Sequence, residues 1–222
     1  MFGLQRIGDL AWAAGDQQAR GFLIGGTAGR TTLAGEGLQH QDGHSFLMAA
    51  SIPNCVSYDP AFNYELAVII HDGIRRMYTD QENVFYYVTV MNENYAHPPM
   101  PEGAQEGILQ GMYRLRQAPK GRKAVPRVQL FGSGTILRES MAAAELLEQD
   151  FGVLADLWSV TSYNELARQG REAVRWNRLH PEASARPVYV SEQLADTEGP
   201  IIAASDYNQA YADQIREFVT GR

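Results

Sequence analysis

Nine residues, 83–91 (NVFYYVTVM), constrain the fold of this chain more than any others. They are nearly all apolar, aromatic or β-branched, with no clean in-and-out alternation. A strand with one wet face alternates; a strand covered on both faces need not. Double coverage marks a parallel sheet flanked by helices, because each parallel connection must cross back over one face of the sheet. The second half repeats that design. Residues 127–131 read as a strand, Gly132-Ser133-Gly134 as a tight turn, 135–149 as an Ala- and Leu-rich helix and 153–160 as the next strand, a βαβ unit with a right-handed crossover. Between the halves, QAPKGRKAVP breaks every periodic pattern and predicts a boundary between units at 1–118 and 124–222. The fold class expected is α/β with mostly parallel sheets.

Other elements follow from local signals. Residues 6–19 read as a short helix and IPNC (52–55) as a short extended piece. Asp59 has the chemistry of an N-cap and Pro60 suits a first helical position. A helix should therefore run on to about residue 78, with Phe62, Leu66, Ile69, Ile70, Gly73 and Met77 as its apolar positions. Arg75 and Arg76 read as solvated charges at the end of that helix rather than as a phosphate clamp. PIIAAS (200–205) reads as a strand, with Asp206 capping a last helix to Phe218. The Gly-Ser-Gly turn has Leu137 where a dinucleotide fingerprint would place its third glycine, and no P-loop lysine. It reads as a strand-to-helix turn without a phosphate.

At 222 residues, 45% hydrophobic and 20% charged, the chain can bury a core without staples, and its lone Cys55 can make no internal disulfide. A formal net charge of −7 repels phosphate backbones and anionic lipid, which argues against nucleic acid and membrane as partners. No apolar run approaches the roughly 18 residues of a membrane span, and the first residues lack a basic segment leading into an apolar stretch. A cytoplasmic location is expected.

Seven of the 21 glycines lie between Gly21 and Gly43. Such density fits a long loop, either one that a ligand or interface approaches closely or one that simply crosses the surface. Glu36, His40 and His44 lie in it (GEGLQHQDGHS). A zinc site would need a third protein ligand, and Gly43 opposes a helix that would align the two histidines. Imidazole titrates near neutrality, so His40 can move a proton, or it can fix the loop by hydrogen bonds. His71, His97 and His180 read as structural. Asn92, Glu93 and Asn94 follow the doubly covered strand at the carboxyl edge of the sheet, where parallel sheets bind ligands. A buried Glu93 there would need a partner such as Asn94. Ser133 has no nucleophile elbow around it.

Longer segments carry a resemblance. MFGLQRIGDLAWAAGDQQARGFLIGGTAGRTTLAGEGLQHQDGHS, IPNCVSYDPAFNYELAVIIHDGIRRMY, NENYAHPPMPEGAQEGI and VQLFGSGTILRE resemble the homodimeric bacterial pyruvate dehydrogenases, the decarboxylating first component of the pyruvate dehydrogenase complex and part of the transketolase-like superfamily. The resemblance covers nearly the whole chain and is weaker at AVPRVQ and toward the C-terminus. It implies a fold of three α/β domains, of which this chain is similar to the rear of the middle, pyrimidine-binding domain and the front of the C-terminal one.

The resemblance also implies thiamin diphosphate with Mg²⁺ as cofactor. Yet QDGHS and HDGIRR lack the Gly-Asp-Gly…Asn pattern that holds diphosphate and metal in the family, and the upstream glutamate that protonates the aminopyrimidine is missing. Both are expected outside this chain, which reads as a partial gene product. Position by position, Phe2 is similar to the aromatic that packs on the aminopyrimidine, Glu36 to a glutamate near the dimer's cofactor site, and His40 to the catalytic histidine beside the pyruvate adduct. Asp42 and His44 match the motif without an assigned role. The partners implied are pyruvate, the lipoyl group of the acyltransferase component, and a second copy of the subunit (a homodimer) or a missing N-terminal portion. Activity is not expected of the chain alone, and the alternative is a non-catalytic remnant that folds or oligomerises. A start inside a domain should leave a sheet edge and apolar surface open, so self-association is expected.

Overall fold

The computed structural model describes residues 3–26, 29–33, 35–37, 40–119 and 125–219. Its first sheet is three-stranded and wholly parallel, built from β1 (Phe22–Gly25), β2 (Cys55–Tyr58) and β3 (Phe85–Thr89) in the order β1-β3-β2. The central strand lies within residues 83–91, and all five of its residues are buried. Its missing alternation has a simple cause. Phe85 and Tyr87 pack with Phe46, Ala49 and Ile52, while Tyr86 and Val88 pack with Ile69, Met77 and Ile108. These partners come from α2 (Ser45–Ser51) and the residue after it on one face. On the other they come from α3 (Asn63–Ile74), the π turn Arg75–Thr79 and α4 (Ala104–Gln110). The remaining helix of this half is α1 (Gly8–Asp16).

The second sheet runs β4-β6-β5-β7, with β4 (Met112–Arg116) antiparallel to β6 (Leu154–Val160), and β5 (Arg127–Gly132) parallel to both β6 and β7 (Ile201–Ala204). Helix α5 (Ile136–Phe151) connects β5 to β6 as expected. Helices α6 (Tyr163–Leu179) and α7 (Tyr189–Leu194) precede β7, and α8 (Gln209–Asp213) follows it. Sheet membership changes between α4 and β4. The two sheets share their hydrophobic clusters: Phe46 and Tyr87 pack with Trp158, Tyr163 and Tyr211, and Ala61 and Phe62 with Leu130, Leu137 and Leu157. Among the described residues, no helix is long and apolar enough to cross a membrane.

Several local expectations give way to tertiary demands. The Gly-rich stretch read as loop contains β1, which is held by its pairing from Phe22↔Tyr86 to Gly25↔Thr89. Residues 52–54 turn, and the extended segment begins only at Cys55. Asp59 caps nothing: α3 starts at Asn63, and the side chain of Glu65 accepts from the Ala61 and Phe62 amides at 2.6 and 3.0 Å. A carboxylate on the first helical turn thus serves the free N–H groups of that end. Asp206 likewise does not cap the last helix. Asn208 does, accepting from the Ala210 amide at 3.0 Å, and the segment breaks into α8 and a 3₁₀ turn at Arg216–Phe218.

Candidate functional site

Parallel strands end together, and the loops leaving their carboxyl ends form a crevice wall. The Gly-rich loop leaves the end of β1, where the Val90 amide donates to Gly25 O at 2.9 Å. It is folded on itself. The Leu33 amide donates to Arg30 O, Glu36 to Leu33 O and His40 to Gly37 O, while the Gln41 side-chain amide donates to Leu33 O and Glu36 O. The Asp42 amide closes the loop onto Gly29 O at 3.2 Å.

This folding brings Glu36 and His40 together, with Nδ1 2.9 Å from Glu36 Oε2. An ionised carboxylate can only accept, so the Nδ1 position carries the proton and Glu36 orients the ring. Their side chains are 29% and 53% exposed for His40 and Glu36, which makes the pair accessible and of little weight for stability. Asp42 next door is buried and structural. Its Oδ1 accepts from the His44 and Ser45 amides at 3.1 and 3.0 Å, ordering the start of α2. Gly3 packs so closely against its carboxylate that a Cβ there would overlap it. Phe2, the expected cofactor-packing aromatic, lies outside the described residues.

The other expected positions do not join this pair. Glu93 is exposed, not buried, and its partner is Arg138 at 3.0 Å, whose guanidinium lies over Tyr95. Arg75 pairs with Asp72 and Asp80. Arg76 is less solvated than expected, holding Glu82 at 2.8 Å and donating to Tyr86 Oη at 3.1 Å. His97 Nδ1 accepts from the Asn63 amide, and His180 stacks on Trp176. Among the described residues, no three His, Cys, Asp or Glu side chains gather in a way that could hold a metal ion.

Among the buried carboxyls, Asp59 and Glu65 have roles that the sequence does not announce. Asp59, at the end of β2, links the sheets. Its amide donates to Thr161 O at 2.7 Å, its carbonyl accepts from the Gly134 amide at 3.1 Å, and Thr89 Oγ1 donates to its Oδ1 at 2.6 Å. Burial pushes this carboxyl up to about 7; Thr89 and Ser133 oppose the shift, and the charges of Asp206 and Glu65 add to it. Glu65 is likewise raised by burial, against four donors: the two amides of its own helix end, Tyr113 Oη at 2.7 Å and Ser159 Oγ at 2.6 Å. The sequence signal for Glu65 was its place three residues after Phe62 at a helix start. Asp59 offered none, because its partners come from β3, β5 and β6.

Comparison with known proteins fits this architecture. Residues 1–98 match the family model of the pyruvate dehydrogenase E1 component middle domain, and residues 111–221 that of the transketolase-like TK C-terminal domain. The chain is 61% identical over 222 residues to the pyruvate dehydrogenase E1 component of Pseudomonas aeruginosa and 59% identical over the same length to that of Cupriavidus necator. Each comparison covers 100% of this chain and 25% of the relative. The Escherichia coli K12 protein is 58% identical over 220 residues, 99% of this chain and 24% of its own. The chain thus spans about a quarter of the length of the curated relatives it matches. In three dimensions, transketolase from Campylobacter jejuni superposes with a TM-score of 0.70 at 14% identity, over 99% of this chain and 29% of that one. Transketolase from Leishmania mexicana does so at 0.63 and 13%, over 91% and 25%. The mostly parallel sheets and the two matched domains make this chain a member of the transketolase-like family, in the branch of the pyruvate dehydrogenase E1 component.

Proposed function

We propose that this chain forms part of a thiamin-diphosphate-dependent pyruvate dehydrogenase component that decarboxylates pyruvate in the cytoplasm and passes the acetyl group to a lipoyl group of an acyltransferase partner. The observation that carries the reading is the Glu36–His40 pair, in contact and accessible beyond the carboxyl end of β1 in a parallel sheet.

The described residues fit the cofactor only in part. The Gly-Ser-Gly turn after β5 has the Asp59 carboxyl, an acceptor that is only partly ionised near neutral pH, packed against Gly134, with the Asp206 carboxylate nearby; a turn faced by two carboxyls is a poor seat for a diphosphate. No cluster of three ligands offers a place for magnesium among these residues. In this reading diphosphate and Mg²⁺ sit on polypeptide outside these residues, supplied by the rest of a longer subunit or by a second copy in a homodimer. When bound, thiamin diphosphate supplies the nucleophilic carbon and the electron sink for decarboxylation. His40 is cationic or a hydrogen-bond donor in this role. Glu36 holds the Nδ1–H and balances the charge of a protonated ring, which suits the imidazole to bind the carboxylate and the developing oxyanion of the substrate.

Calorimetric titration of the purified chain with thiamin diphosphate and Mg²⁺ tests the first part, and no heat of binding is expected. Adding a polypeptide that carries the remaining portion of a relative should restore pyruvate decarboxylation. In that assembly His40→Ala should lower kcat by about 10²-fold to 10³-fold. Tight cofactor binding by the lone chain overturns the assignment of the diphosphate site, and an unchanged kcat in the His40 variant overturns the role of the pair.

A further inference from the structure

The Glu36–His40 loop is not held by its own unit alone. Gly29 has a φ of +79°, and the two amides that follow it, Arg30 and Thr31, both point at Asp206 Oδ2, at 2.5 and 2.8 Å. Thr31 Oγ1 donates to the other oxygen at 2.7 Å. A left-handed glycine followed by converging amides forms a nest, a backbone concavity that binds anions. Here the anion is a side chain some 175 positions away in sequence, delivered by the connection between β7 and α8. A Cβ on Gly29 would overlap that carboxylate, so the fit leaves no spare room.

The far end of the loop is tied to the same connection. The Asn208 amide donates to Gly43 O at 2.8 Å, and the Asp42 amide joins the two ends of the loop through Gly29 O. The connection is itself anchored to the second sheet, because Ser205 Oγ lies 3.2 Å from Ser133 Oγ at the end of β5. Both ends of the loop, residues 29–31 and 42–43, are thus gripped by the segment 205–208, with Glu36 and His40 between them.

We propose that Asp206 is a positioning residue: its carboxylate, seated in the Gly29–Thr31 nest, makes the geometry of the Glu36–His40 pair depend on docking of the second sheet. Without it the three donors of the nest must turn to water, and the loop loses this side-chain tie to the connection after β7. The catalytic meaning of this device rests on the proposed role of His40. The anchoring itself is read on the chain without cofactor, so either idea can fail without the other.

The test is residue-resolved hydrogen exchange and NMR on the 222-residue chain. Asp206→Ala acts from one side of the contact and Gly29→Ala from the other. Each should speed exchange of the Arg30, Thr31 and His40 amides by about tenfold or more and shift the His40 ring Cε1–H resonance, while amides of β5 and β6 keep their rates. Because both changes break one contact, the double variant should exchange no faster than the faster single variant. Unchanged loop exchange, additive effects, or loosening that spreads equally into β5 and β6 overturns the proposal. Should Asp206→Ala fail to fold, Thr31→Val removes only the hydroxyl contact. It should give a smaller acceleration confined to the loop, and its absence counts against Asp206 in the same way.

Discussion

Replacing Asp59 by asparagine should make this protein's stability less sensitive to pH, in a direction opposite to that of an ordinary surface carboxylate. The carboxyl lies between the ends of β2, β3 and β5, facing Thr89, Ser133 and Gly134, with Asp206 and Glu65 as charged neighbours. The phenols of Tyr163, Tyr207 and Tyr211 are buried without hydrogen-bond partners among the described residues, and Asp59 is the charge that acts most strongly on each. Burial raises the carboxyl from 3.8 to about 7, so the folded state holds this proton more tightly than the unfolded one. The stabilisation is complete below the unfolded value and is lost as pH rises through the folded one. At about 1.4 kcal/mol per pH unit the full span is about 4 kcal/mol; about 2 kcal/mol remains at pH 5.5 and almost none at pH 8. The amide of the Asp59→Asn variant stays neutral throughout. Scanning calorimetry of both proteins at pH 5.5 and pH 8, at equal ionic strength, should therefore show the variant gaining about 4 to 8 °C on the wild type between the two conditions. Every other titrating group is common to both proteins and cancels to first order. A Tm difference that is the same at both pH values refutes the reasoning.

Glu65→Ala should cost about 3 to 5 kcal/mol, because four donors, the two amides just before α3 and the hydroxyls of Tyr113 in β4 and Ser159 in β6, lose a shared acceptor. Glu65→Gln should cost less, since one oxygen remains. The urea midpoint reads both, and a loss below about 1 kcal/mol for the alanine variant contradicts this account. The outer strands β1 and β7 carry the exposed side chains Ile24 and Ile202, so the chain should self-associate at micromolar concentration; Ile24→Lys with Ile202→Lys should shift its size-exclusion profile toward monomer, and a monodisperse wild-type monomer argues against it.

What the sequence determined was local. The run at 83–91 reported both faces of β3, because Phe85 and Tyr87 meet one helical layer and Tyr86 and Val88 the other. The turn at Gly132–Gly134 and the Ala-rich stretch after it foretold β5, α5 and β6, since turn chemistry and helical period act over a few residues. The four-residue spacing of Glu36 and His40 sufficed to suggest one loop, and they meet at 2.9 Å. Helix α6 was also legible: Ser162 caps it through the Glu165 amide, a Ser-x-x-Glu signature that went unread.

The tertiary structure decided everything that depends on a partner far along the chain. A strand as short as β1, set among glycines, exists only because β3 supplies its hydrogen bonds. Asp59 and Asp206 both look like helix caps in sequence, and neither is one. Asp59 joins the two sheets, and Asp206 fills a nest on the His40 loop. A carboxylate accepts hydrogen bonds from whichever unsatisfied donors the fold brings within reach, and those donors belong to strands and turns whose proximity no local pattern encodes.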